Sequence, residues 1–195
     1  MYSRILLPTM LVNAASASFR LGGCPEITRQ QDFDVNKYEG LWYEQARDRA
    51  TIFELGARCV TARYTDNGDG SIAVRNNSYY DIIGWTGGPA TAYLTDPGAA
   101  EGALYVSFDG TVPAPGTEPN YNVLSTDYDN YTVVYSCTEF GFLSFELVWI
   151  LAREPEASEL VLHQAKKAIR SGLPRYSINR KMVFAEGNNT CPYDS

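Results

Sequence analysis

Residues 126–153 read TDYDNYTVVYSCTEFGFLSFELVWILAR. Asp127, Asp129 and Asn130 are turn formers, the run from Tyr131 to Phe140 is rich in Tyr, Val and Thr, and Gly141 then separates it from a second run, Leu143 to Arg153. Short β-branched and aromatic runs bounded by Gly, Asp and Asn predict antiparallel strands joined by tight turns. The same texture extends toward the N-terminus, with strands expected near Gly40 to Arg49, Cys59 to Thr65, Ser71 to Tyr80, Gly84 to Leu94, Ala103 to Asp109 and Tyr121 to Thr126. Asp66-Asn67-Gly68-Asp69-Gly70 supplies residues that tolerate the positive φ of a hairpin turn. Thr111 to Pro119, with Pro113, Pro115 and Pro119, cannot donate to a ladder and is expected to be a longer loop. The fold class is therefore all-β, and eight strands suffice to close an antiparallel up-and-down barrel.

Past the strands the period changes. Leu162, Ala165 and Ile169 recur on one face, with Glu159, His163, Lys166, Lys167 and Arg170 elsewhere, which predicts a single C-terminal α-helix packed on the barrel exterior. Gly172 and Pro174 mark its stop, and a last short strand is expected over Ser177 to Phe184. Before the strands, Arg4, an apolar run from Ile5 to Val12 and the triplet Ala15-Ser16-Ala17 read as a signal peptide, residues 1–17, leaving one domain over 18–195. A secreted, extracellular protein follows from that reading. No later apolar run approaches the ~20 residues that span a bilayer.

The chain has 195 residues, 45% of them hydrophobic, with 16 basic and 23 acidic residues and a net charge of -7. No stretch concentrates Lys and Arg, so nucleic acid is an unsuitable partner. Four cysteines, Cys24, Cys59, Cys137 and Cys191, suit two disulfides in an oxidising compartment, and three connectivities satisfy them. None forms a CxxC pair and His163 is the only histidine, so no metal site is expected.

Three motifs in order resemble the signatures of the lipocalin family: Gly40-Leu41-Trp42 resembles GxW, Thr126-Asp127-Tyr128 resembles TDY, and Arg153 ends a strand as the third signature's arginine does. The wording is nearest to the apolipoprotein D, bilin-binding protein and crustacyanin branch, above all in Leu124 to Cys137 and Val148 to Arg153. The resemblance implies an eight-stranded barrel open at one end, with Trp42 stacked under the Arg153 guanidinium at the other. It also implies the bridges Cys24 with Cys137 and Cys59 with Cys191.

Matching to that family, extended by strand alternation from an inward Arg153, gives a ligand-lining set: Tyr64, Asn76, Ser78, Tyr80, Phe108, Tyr121, Val123, Leu147, Trp149 and Leu151, with Ser125 following Val123. The set is aromatic and aliphatic with hydroxyl and amide groups and no formal charge, which suits a long apolar ligand with neutral ends. A carotenoid of astaxanthin type, a retinoid or a sterol is expected ahead of a fatty acid. A bilin requires its propionates to meet Arg47, Arg49 or Arg58 at the mouth. The resemblance leaves open a colourless lipid or fatty-acid transporter, a ligand-sequestering defence protein, and association into a homo-oligomer around pigment. No nucleophile and base are paired by spacing and every cysteine is assigned to a bridge, so catalysis is not expected. Of the sequons at Asn76, Asn130 and Asn188, the last is the expected glycan acceptor.

Overall fold

The computed structural model describes residues 19–193. The proposed signal peptide, residues 1–17, lies outside them. The strands are β1 (Phe19–Leu21), β2 (Gly40–Asp48), β3 (Arg58–Asp66), β4 (Ser71–Tyr80), β5 (Gly84–Leu94), β6 (Ala103–Ser107), β7 (Tyr121–Thr126), β8 (Tyr131–Phe140), β9 (Leu143–Ala152) and β10 (Met182–Phe184). The helices are α1 (Val35–Tyr38), α2 (Glu159–Gly172) and α3 (Ile178–Lys181). From β2 to β9 each strand pairs antiparallel with the next, and β9 returns to pair with β2, closing an eight-stranded barrel. β1 and β10 are short additions on β9 and β2.

Two apolar clusters divide the molecule. One fills the lower barrel with Phe33, Tyr38, Trp42, Leu104 and Val123 among others. The second lies outside the wall, where Ala165 and Ile169 of α2 pack on Val133, Val148 and Ile150. The helix is capped by Ser158, whose hydroxyl accepts from Val161 N. The expected strand over Ser177 to Phe184 is instead α3 followed by three residues of β10. Ile178 and Met182, four apart, both bury in the outer cluster, and one helical turn places them on the same side.

The ladder is uneven. β8 and β9 share ten partner pairs, whereas β6 and β7 share two, Ala103 with Asn122 and Leu104 with Tyr121. Above that short seam the Asn120 side chain substitutes for a strand, accepting from Val106 N (2.7 Å) and donating to Val106 O (2.9 Å). Below it Gln30 of the N-terminal arm bridges the strands, donating its N–H to Val123 O and accepting from Gly102 N. β3 likewise leaves β2 after Tyr43, and β10 and the C-terminal tail cover the exposed edge. The bridges Cys24–Cys137 and Cys59–Cys191 fasten the arm to β8 and the tail to β3.

Candidate ligand-binding cavity

The floor is built around Trp42, which is fully buried. Its indole N–H donates to Tyr38 O (2.9 Å), and the Arg153 guanidinium lies 3.7 Å from its ring centroid. The same guanidinium donates to the carbonyls of Tyr128, Leu41 and Lys37 at 2.9, 3.1 and 3.0 Å, so the cation is fully engaged by backbone. Gly40, at φ +94°, brings its backbone under this group: a Cβ there would lie 3.2 Å from Arg153 Nη1. Asp127 accepts from Asn130 N, Tyr131 N and Asn130 Nδ2, and Thr126 Oγ1 accepts from Tyr128 N, which fixes the turn that carries the Tyr128 carbonyl. α1, capped by Asp34, delivers Tyr38 to the floor. There Tyr38, Tyr64 and Tyr121 join hydroxyls, with Tyr121 Oη 2.9 Å from Tyr38 Oη and 2.8 Å from Tyr64 Oη. Burial pushes all three phenols up, Tyr38 to about 12, and the cluster is neutral.

Above this floor is a cavity of about 320 Å³ opening at the end opposite Trp42. Tyr64, Val74, Val106, Val134, Leu147, Trp149 and Leu151 form its apolar wall, with Asn76, Asn120, Thr61, Ser136 and Thr138 as neutral polar groups. Three ionisable side chains meet at one place on this wall. Glu44 and Glu54 line the cavity, and Arg47 pairs with Glu44 Oε1 and lies 3.7 Å from Glu54 Oε2 through Nε. Arg47 also donates to the carbonyls of Glu54 and Ala57, tying the turn after β2 to the strand. Burial raises the Glu54 carboxyl to about 8, assisted by Glu44 and opposed by Arg47. Burial raises Glu44 too, against the pull of Arg47. At the mouth Ile52, Phe53, Ile82, Phe108, Val112 and Phe142, from four separate loops, are exposed.

A family model described as a lipocalin-like domain matches residues 33–179. The chain is a lipocalin. Among curated proteins this lipocalin is similar to the Lazarillo protein of Schistocerca americana, 30% identical over 83% of this chain and 75% of that one. It is also similar to apolipoprotein D of Mus musculus, 37% identical over 76% of each. Among solved structures it resembles insecticyanin of Manduca sexta, with TM-score 0.74, 19% identity and coverage of 88% of this chain and 89% of that one. That likeness concerns the fold.

In this lipocalin seven of the ten expected lining residues, Tyr64, Asn76, Phe108, Tyr121, Leu147, Trp149 and Leu151, surround the cavity. Val123 does not: it is fully buried in the core below. Ser78 and Tyr80 lie outside the lining; Tyr80 sits at the rim, its hydroxyl donating to Phe53 O at 3.4 Å. Ser125 does not follow Val123 inward, because the β7–β8 register shifts between Val123 and Ser125 and turns its hydroxyl to Tyr131 Oη at 3.0 Å. The expectation of an uncharged lining is overturned by Glu44 and Glu54. Glu44 follows Trp42 by two residues, so alternation placed it inward from the start. Glu54 sits on a single 3-10 turn, Ile52–Glu54, where alternation carries no information. Arg47 is engaged in the wall; Arg49 is exposed, and Arg58 pairs with Asp81 at 2.6 Å. Asn188 is buried and its Nδ2, the atom a glycan would occupy, donates to Glu44 O at 2.7 Å, so the expectation of an accessible acceptor there is corrected. His163 is exposed on α2, away from the cavity.

Proposed function

We propose that this lipocalin is a secreted carrier that holds one small hydrophobic ligand in its barrel, with retinoids, sterols, carotenoids and bilins as the ligand classes and a coloured chromoprotein as one form of that role. The supporting observation is the cavity itself: about 320 Å³, largely apolar, closed below by Trp42 and Arg153 and open above. That volume falls at the lower end of the range for small-molecule sites, about 300–1,000 Å³, so a retinoid-sized body fits inside while a longer polyene extends past the rim. Two disulfides agree with an oxidising destination. The two carboxyls in the wall act in binding; among the described residues no histidine or free thiol lines the cavity with them, and the reading is of a carrier without catalytic chemistry.

The test is the absorption spectrum of natively purified protein, followed by titration with retinol, a sterol and biliverdin while intrinsic tryptophan fluorescence is followed. Visible absorption or saturable quenching at one ligand per chain is expected. A colourless protein whose fluorescence none of these ligands perturbs overturns the reading.

A further inference from the structure

We propose that Glu44, Arg47 and Glu54 form the recognition end of the cavity and select an apolar ligand that ends in a hydroxyl over the same ligand ending in a carboxylate. This rests on the carrier reading and adds to it the chemistry of the ligand's polar end. Glu44 Oε2 and Glu54 Oε2 are both buried with no hydrogen bond from the surrounding wall, so the proton that Glu54 keeps and that links the two carboxyls is the donor they share, and both residues line the cavity. Glu44 is only 2% exposed. One proton does not serve every lone pair of two buried carboxyls, and a donor brought by the ligand lowers the cost that remains.

The cation in the group is not free to receive an anion. Arg47 is used by Glu44 Oε1, by the carbonyls of Glu54 and Ala57, and by Glu54 Oε2. Among the described residues no Lys or Arg lines the cavity. With the Glu54 carboxyl keeping its proton to about pH 8, the Glu44 and Arg47 charges balance and the cluster has no spare positive charge. A carboxylate arriving with the ligand would have no positive partner there. The other titratable groups facing the space are Tyr64 from β3 and Tyr121 from β7, both held neutral by burial, and Trp149 of β9 reaches Glu54 as a donor. At the rim Tyr80 is turned to Phe53 O, and Arg58 and Asp81 neutralise each other. Among the described residues no free cation lines the cavity, and the two carboxyls can accept from a ligand, so a ligand hydroxyl is the complement.

Retinol and retinoic acid share ring and polyene and differ only at the end group, so their ratio of dissociation constants, read from tryptophan quenching at pH 7.5, isolates the effect. Wild type is expected to favour retinol by about tenfold or more. E54Q replaces a protonated carboxyl by an amide with a second N–H donor that a ligand carboxylate can accept from, and E44Q leaves Arg47 without its carboxylate; each is expected to move the ratio about tenfold toward retinoic acid. Comparing ratios between proteins cancels the different solubilities of the two retinoids. Melting curves identify a variant that fails to fold, and E54Q, on a surface turn, carries the test if E44Q does so. Retinoic acid matching or exceeding retinol on wild type, or a ratio unchanged in the folded variants, overturns the inference while leaving the carrier reading intact. No quenching by either retinoid, a sterol or biliverdin overturns both.

Discussion

Trp42 and Trp149 are large indoles on the barrel wall, but the first is sealed under Arg153 and the second faces the cavity. Trp149→Ala is therefore expected to weaken ligand binding about tenfold, ~1.4 kcal/mol, with little change in melting temperature. Trp42→Ala removes a fully buried ring and is expected to cost about 3–5 kcal/mol in denaturant unfolding. Equal loss of affinity from both, with unchanged stability, would show that the floor and the wall have been exchanged. Glu54 makes a prediction about pH. Its carboxyl titrates near 4.5 when unfolded and at about 8 when folded, so the folded chain holds the extra proton between those values. The corresponding stability is fully present below about pH 4.5 and is lost as pH rises toward 8. Denaturant midpoints measured from pH 5 to 9 should fall over this window, and E54Q should flatten the fall.

Strands and their turns were legible because their chemistry is local. The Tyr, Val and Thr runs and the Asp66 to Gly70 turn gave β3, β4, β7, β8 and β9 to within a residue at each end. The parity of what those strands face was legible only as far as the first bulge. On β2 the register shifts between Glu44 and Ala46, so Glu44 and Arg47 both face inward while Ala46 packs on the outer cluster. Period-two counting cannot find that, because it is the partner strand that shows where the extra residue sits. The displaced residue, Gln45, is buried and holds the link between β9 and α2: Nε2 donates to the carbonyls of Glu154 and Pro155, and Oε1 accepts from Ala157 N, each at 3.0–3.1 Å. Gln45→Ala leaves those groups unpaired and is expected to cost about 1–3 kcal/mol. Amide exchange should accelerate at Ala157 before it does in the ladder, and uniform acceleration along β9 would contradict this placement. The short β1 and α1 carry too few residues for a period and exist through what they pack on, which is why sequence patterning does not announce them, and β10 is legible only as the last three residues of the strand expected over Ser177 to Phe184.

For the whole barrel, closure depends on joins of unequal strength, and chain segments far apart in sequence repair the weak ones. Asn188 and β10 complete the edge that β3 abandons, and the side chain of Asn120 extends the two-pair seam between β6 and β7. Such long-range repairs explain why a sequon and an ordinary loop asparagine conceal structural roles. Asn120→Ala strips both backbone groups of Val106 of their partner and is expected to lower stability by about 1–3 kcal/mol, with faster amide exchange in β6 and β7 than in β8 and β9. Protection that stays even around the ring would show the seam to be no weaker than its neighbours. A cask hooped firmly on most sides and lightly on one springs at a known stave. Guests of growing girth will be accommodated by parting β6 from β7, so their affinities should decline by degrees instead of stopping at a sharp size limit.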